Sequence, residues 1–473
     1  MKKLVSLFTL IIIASMLLVA CGGTAAPTAE PPKPTEKPTL APPPPATEAP
    51  PPVAATEAPP AATEAPVEVA APALPEVTEP TTIELWQHDS GGKINGLKAV
   101  IEEFQKQYPN ITVTQTVIPY DDYQTKMAAS VPAGSGPDVA MSYYGWIALW
   151  SQAGFIIPLP DSVSAIIEKD FVPFKYITAM DGKQYGVLTS VRNFALFYNP
   201  LLLKEAGFDK PPATWDEFVT VAKACTKTDS AGNITQAGYY FDFGGDGWNW
   251  WRALIEAYGG QAFSEDGKQT LFNVGDGARA AWQYLIDFTL KDKVSMPAFF
   301  EGELEGFAAG KSCMTPELTF SVGFMRDNAA PGVEWKVAPM PAGPKGAFTQ
   351  GSSWPLVLTS KAANDPNKLA AATLFLAFMA SAKGQELYTD VTGEIPSRND
   401  MVGLEKYTSN ANLKPFIDQM AGTKAPFWVD ELKERQCAID MYDAVITTGA
   451  DPMTTLDSGA ACDQKIRDEF FAK

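Results

Sequence analysis

Apolar and polar positions change character near residue 81, and only beyond that point do they follow the periods of folded elements. Residues 82–86 read as a strand, followed by the polar turn His88-Asp89-Ser90-Gly91-Gly92. Residues 94–108 place Leu97, Val100, Ile101, Phe104 and Tyr108 on one face of a helix that Pro109 ends. Ile111, Val113 and Val117 alternate as a strand, residues 122–130 read as a helix, and GSGPD at 134–138 turns into a strand over 139–142. This alternation predicts an α/β unit with a largely parallel sheet, whose ligand belongs at the carboxyl ends of the strands.

The stretch 182–207 differs in kind. Apolar runs at 185–188 and 194–198 flank the polar residues Thr189, Ser190, Arg192 and Asn193. Two strand halves joined by a polar waist, or one kinked strand, both satisfy this pattern. Pro200 then opens a short helix closed by Gly207. Thr214-Trp215-Asp216-Glu217 is a capping box for a helix reaching Cys225. Residues 278–290 are amphipathic, and 311–315 and 334–338 read as strands, the second recrossing the waist. Residues 348–358 should return to the first unit, and a long helix follows Asp365-Pro366. Residues 430–446 and 454–470 form two helices about the turn 448–452.

Before residue 81 the pattern implies targeting rather than folding. Lys2-Lys3 and an apolar run over 4–19 read as a signal peptide, 1–20. Leu18-Val19-Ala20-Cys21 resembles a lipobox, which makes Cys21 the candidate lipidation site and implies a membrane anchor. Residues 21–80 are almost wholly Pro, Ala, Thr, Glu and Val, with Ala-Thr-Glu-Ala-Pro recurring at 46, 55 and 62, a composition expected of a disordered tether.

Charge narrows the function. A net charge of −18 argues against nucleic acid as a partner. A single histidine, His88, argues against a histidine-based triad or a His-rich metal site, and no EF-hand spacing occurs, so neither metal nor cofactor is expected. Aromatic residues are concentrated: Tyr143, Tyr144, Trp146 and Trp150 follow one strand, Trp248, Trp250 and Trp251 follow a Gly-rich loop, and Trp354 and Trp428 fall on other turns. Such rings pack on the C–H faces of sugars while polar neighbours take the hydroxyls. The competing reading for each is core packing, favoured for Trp86 and Trp150.

The segment Ala195-Leu196-Phe197-Tyr198-Asn199, with Leu203 and Glu205, resembles the signature of bacterial extracellular solute-binding proteins of the sugar-binding class, the receptors of ABC importers. The resemblance runs over residues 81–473. It implies an α/β, two-lobe periplasmic-binding-protein-like fold with hinge crossovers, an N-lobe of 81–190 plus 338–395 and a C-lobe of 191–337 plus 396–473. It implies a monomer that takes a mono- or oligosaccharide into the interlobe cleft and delivers it to the transporter's membrane subunits. It also directs His88, Asp89, Arg192, Asn193, Glu317 and Arg398 toward the ligand. Asn249 and Asp246 join them as polar neighbours of the tryptophan cluster, so the candidate site comprises these residues with Tyr143, Tyr144, Trp146, Trp248, Trp251, Trp354 and Trp428.

Two other classes compete with the receptor: a glycoside hydrolase with paired carboxylates, and a surface adhesin that captures polysaccharide. No motif marks an acid–base pair, so no catalytic residue is assigned. Export places the remaining cysteines in an oxidising setting. Cys437 and Cys462 lie nearly symmetrically about Gly449-Ala450 in the expected helical hairpin and are the candidate disulfide, leaving Cys225 and Cys313 as core thiols.

Overall fold

The computed structural model describes residues 73–473, without the side chains of 245 and 246. The signal-peptide, Cys21 and tether expectations, and the Asp246 side chain, lie outside the described residues. No helix among those described is long and apolar enough to cross a membrane.

Fifteen strands are described. In chain order they are β1 (Thr81–His88), β2 (Ile111–Ile118), β3 (Val139–Met141), β4 (Ile156–Ile157), β5 (Ala179–Met180), β6 (Lys183–Gln184), β7 (Gly186–Val187) and β8 (Arg192–Tyr198). Then come β9 (Lys227–Thr228), β10 (Ile234–Tyr239), β11 (Ser312–Leu318), β12 (Lys336–Ala338), β13 (Thr349–Ser352), β14 (Leu356–Thr359) and β15 (Thr423–Lys424). Apart from the β5–β6 hairpin they form two sheets. One has the order β2-β1-β3-β14-β4, with β7 also on β14; the other has β15-β13-β8-β11-β10-β9, with β12 also on β8. The expected parallel core is present, since β1 pairs parallel with both β2 and β3. The β14 strand, arriving from the other lobe, is antiparallel to β3. This is a two-lobe α/β fold.

The helix Gly91–Gln107 forms because Leu97, Val100, Ile101 and Phe104 recur at three- and four-residue spacing, and all four are buried. Phe104 meets Phe375 of the long helix Pro366–Ala380 at a ring distance of 5.2 Å. In the helix Trp215–Cys225, Thr214 Oγ1 accepts from Glu217 N as expected of its cap. Glu217 reaches one residue further back than a capping box requires, accepting from Ala213 N at 2.7 Å.

Three passages connect the sheets, and they run side by side. The first leaves β7 and enters β8, so the waist is 188–191, and Arg192 and Asn193 belong to the second strand rather than to the waist. The second lies between β13 and β14. Because β12 and β13 both pair with β8 in the second sheet, the strand at 336–338 does not recross the waist, and the return to the first sheet begins after Ser352 rather than at Phe348. The third follows the helix Ala382–Thr392, which ends at Gly393 with φ 73°, a left-handed conformation that glycine adopts without a Cβ clash. Ser353 Oγ donates to Ser190 O at 2.7 Å, Thr189 Oγ1 to Trp354 O at 3.0 Å, and Val191 N to Ile395 O at 2.8 Å. These bonds satisfy backbone polar groups where neither sheet can.

The C-terminal helices, Glu431–Thr448 and Pro452–Phe471, form the expected hairpin, and Cys437 and Cys462 are joined as a disulfide with Cα atoms 5.9 Å apart. Cys225 and Cys313 are buried free thiols.

Candidate functional site

Residues following the carboxyl ends of three strands line one cavity of about 210 Å³: Lys93 after β1, Tyr143 after β3, and Leu318 and Phe320 at the end of β11. That is where a ligand belongs on such sheets. Arg192 and Ser352, paired at the adjoining ends of β8 and β13, complete one side. Trp248 and Asn249, from the first turn of the helix Trp248–Ala257, and Glu431 and Arg435, one turn apart on the C-terminal hairpin, complete the other.

Trp354 is the organising ring. Its centroid lies 5.2 Å from Tyr143, 5.4 Å from Trp146 and 4.1 Å from His88. Tyr143 and Trp354 line the cavity, while Trp146 and His88 support the Trp354 ring from outside its wall. Trp146 Nε1 donates to Glu431 Oε2 at 3.0 Å, tying the turn after β3 to the C-terminal hairpin. Gly145 permits that approach, since a Cβ there would lie 2.8 Å from Trp428 Cδ1 and 3.1 Å from Glu431 Cβ. Arg435 in turn lies 5.4 Å over the Trp248 ring and 3.5 Å from Glu431 Oε1.

Electrostatics at this site follow from burial. Desolvation holds the His88 imidazole down to about 3, with the charges of Lys93 and Arg192 adding to the effect, so the ring is neutral at ordinary pH. Desolvation also brings the Lys93 ammonium down to about 7; Arg192 lowers it further and Glu394 opposes. Burial raises the Glu431 carboxyl, against the pull of Arg435 and the Trp146 hydrogen bond. Ser352 Oγ, on the cavity wall, is buried with no hydrogen-bond partner, as are His88 Nε2 beside Trp354 and Gln350 Oε1. A buried polar atom left unsatisfied is costly, and a hydroxyl-rich ligand would supply the missing partner on the wall.

A larger cavity, about 430 Å³, is lined by Tyr144 and Trp428, joined by a 2.8 Å bond from Trp428 Nε1 to Tyr144 Oη, together with Arg252 and Phe263. Volume favours this space; the three strand ends favour the smaller one, and strand ends are the stronger argument because they place backbone termini and charged side chains together.

Besides His88 and Trp146, which stand behind the Trp354 ring, five expected ligand contacts line neither cavity. Asn193 is wholly buried, its Nδ2 donating to Phe416 O at 3.0 Å and Thr423 Oγ1 at 2.9 Å. Glu317 accepts within its own strand end, from Thr315 Oγ1 at 3.3 Å and Ser321 Oγ at 3.1 Å. Trp251 packs between Phe272 and Trp282, at ring distances of 5.4 and 5.6 Å. Arg398 is held by Asp400 at 2.9 Å, Asp170 at 3.2 Å and the Ala380 carbonyl at 2.9 Å. Asp89 is exposed and accepts from Tyr120 N at 2.7 Å, anchoring the turn. Conversely, Lys93, Tyr120, Phe320, Ser352, Glu431 and Arg435 were not foreseen. Lys93 had a readable signal, a lone cation closing the Ser90-Gly91-Gly92 turn at a strand's carboxyl end. Glu431 and Arg435 had a weaker one, an i,i+4 pair just after Trp428.

Residues 90–386 match the model of the bacterial extracellular solute-binding protein family. This chain is a member of that family. The match covers more than half of the sequence, from the turn after β1 to the helix that precedes the third passage. Among relatives of this solute-binding protein, a Brucella abortus protein named only as a binding protein is 26% identical over 325 residues, 67% of this chain and 76% of the relative. An arabinooligosaccharide-binding protein of Bacillus subtilis is 27% identical, over 61% of this chain and 66% of its own length. Among solved structures, the GacH receptor of Streptomyces glaucescens superposes with a TM-score of 0.71 at 21% identity, over 82% of this chain and 98% of that one. The family comprises extracellular binding proteins rather than enzymes, so the hydrolase expectation has no support from it.

Proposed function

We propose that this solute-binding protein is an extracytoplasmic receptor that binds a carbohydrate in the 210 Å³ cavity and delivers it to the membrane subunits of an ABC transporter. The observation that carries this reading is the convergence of three strand ends on a wall made of Trp354, Tyr143 and Trp248, with the unpartnered Ser352 hydroxyl beside them. Flat apolar rings next to unsatisfied hydrogen-bonding atoms match a pyranose, which is apolar on its faces and polar at its rim. The sugar specificities in the names of relatives point the same way: arabinooligosaccharide in one, maltotriose in another.

On this reading one lobe comprises residues 81–190 with 353–395, and the other 191–352 with 396–473. The three passages act as hinges, and ligand contacts from both lobes favour the closed arrangement. Cys21 carries a lipid, residues 21–80 tether the monomeric receptor to the membrane, and no cofactor takes part. A thermal-shift screen of neutral and acidic sugars followed by calorimetry tests the receptor. Absence of any sugar binding, or turnover of a bound sugar, overturns the reading. Loss of sugar uptake on deleting the gene separates a transport receptor from an adhesin.

A further inference from the structure

Charge around the smaller cavity is reversed relative to the chain as a whole. The sequence has 37 basic and 55 acidic side chains. The cavity is lined by three basic ones, Lys93, Arg192 and Arg435, against one acidic, Glu431. Two of these cations already have partners: Arg435 has Glu431 at 3.5 Å, and Arg192 has Glu394 at 3.2 Å from behind the wall. Lys93 has none. Its Nζ donates to Ser90 Oγ at 3.2 Å, and among the described residues no carboxylate lies within ion-pair distance of it. Two other titratable groups at the cavity are neutral at ordinary pH: His88 next to it, and the Tyr120 phenol on its wall, which burial raises. Lys93 is thus the one cation of the wall without a counter-charge among the described residues.

That charge is out of water, since Lys93 is only 8% exposed. A buried, unpaired ammonium is expensive, and an anion brought to it in a low-dielectric pocket is attracted far more strongly than in solvent. The ammonium also lies 4.9 Å from the Trp354 ring centroid, so the cation and the best stacking surface are neighbours. A sugar laid against Trp354 would hold a charged substituent within reach of Lys93, and the Arg192 guanidinium on the same wall offers further donors to its oxygens.

We propose that the cavity selects a carbohydrate carrying an acidic group, with Lys93 as the residue that recognises the charge. This rests on the carbohydrate reading above and sharpens it. Carboxylate, sulfate and phosphate all present anionic oxygens to an ammonium, and probes carrying each of them distinguish the three.

The full-length protein is titrated by calorimetry with galactose, galacturonate, digalacturonate, galactose 6-sulfate and galactose 6-phosphate, and with the matching glucose series. At least one acidic sugar should bind tenfold or more tightly than its neutral counterpart, and the strongest of the three acidic groups names the anion. Lys93→Gln should bring that ratio to near one, and Lys93→Arg should restore most of it. Binding at pH 8 should take up a proton, seen as a heat that changes with the ionisation enthalpy of the buffer, because the ligand's charge holds Lys93 protonated. Neutral sugars binding as tightly as acidic ones overturn the proposal and leave the carbohydrate receptor standing. Inorganic sulfate, phosphate or acetate binding as tightly as the acidic sugars overturns it too, by removing the sugar from recognition. No binding by any of these probes overturns the proposal, while the carbohydrate reading falls only if the broader sugar screen is also blank.

Discussion

Arg192 Nε lies 3.2 Å from Glu394 Oε1, and this ion pair joins the start of β8, where the first passage ends, to the third passage. Both side chains are buried, and Ser190 Oγ donates to the same carboxylate. Glu394 therefore neutralises the cation that the cavity wall presents. Removing it leaves a guanidinium in low dielectric without a counter-charge. Glu394→Gln should destabilise the ligand-free protein by about 3 kcal/mol, the usual size of a broken buried pair. Urea unfolding checks this, and a loss well under 1 kcal/mol would show that the pair does not organise the hinge.

Two tryptophans from one short helix should separate cleanly. Trp248 lines the cavity, whereas Trp251 is enclosed by Phe272 and Trp282. Trp248→Ala should cost roughly 1–3 kcal/mol of sugar affinity, the worth of burying a large apolar surface, with the melting temperature less affected. Trp251→Ala should cost about 3–5 kcal/mol of stability, as large core truncations do. Calorimetry and denaturant unfolding on the same two variants give the comparison, and equal losses of affinity would refute the division.

His88, the single histidine of the chain, gives a pH signal whose sign follows from its burial. Its folded value is depressed to about 3 by burial from an ordinary value of 6.5. Between those values the unfolded chain binds the proton and the folded one does not, so stability falls as pH drops from 6.5 toward 3. Burial raises the Glu434 carboxyl to about 7, which adds a contribution of opposite sign in the same window, so the difference between the parent and His88→Gln isolates the histidine. The ring's NMR shift should stay at its neutral position down to pH 5, and His88→Gln should remove the histidine's share of the slope of stability between pH 6.5 and 5. A histidine titrating near 6.5 in the folded state would contradict the buried placement.

The Cys437–Cys462 bridge spans 25 residues of chain. Closing a loop of that size restricts the unfolded state by about 3 kcal/mol in the chain-entropy account. Cys437→Ser should lower the urea midpoint of the oxidised protein accordingly, and adding reductant should then change the variant little. Peptide mapping without reductant tests the pairing directly, and a free thiol at Cys437 would disprove it.

Much of the fold was legible from residue order because local chemistry decides it. The three-and-four spacing of Leu97, Val100, Ile101 and Phe104 specifies a helix wherever it occurs, and Asn199-Pro200 specifies a helix start; in the structure Asn199 accepts from Leu201 N and Leu202 N. The helical hairpin placed Cys437 opposite Cys462 for the same reason, since one turn sets the register of both helices. Trp354, Tyr143, Trp248 and Arg192 were identifiable as candidates because they sit at turns beside strand ends.

Which of those candidates share a cavity was decided by tertiary structure. Asn193 follows Arg192 directly, and because successive strand residues point to opposite faces, Arg192 reaches the cavity while Asn193 turns toward Phe416 and Thr423. Trp251 lies three residues from Trp248 on one helix, yet the packing of Phe272 and Trp282 assigns it to the core. The resemblance directed Arg398 toward the ligand, and Asp170, more than two hundred residues earlier, captures it instead. Glu431 and Arg435 complete the cavity only because Gly145 lets the last helices approach the turn after β3. Residue order determines what each segment can become; contacts between segments far apart in the chain determine which side chains face a ligand, since burial and counter-charge come from those distant neighbours.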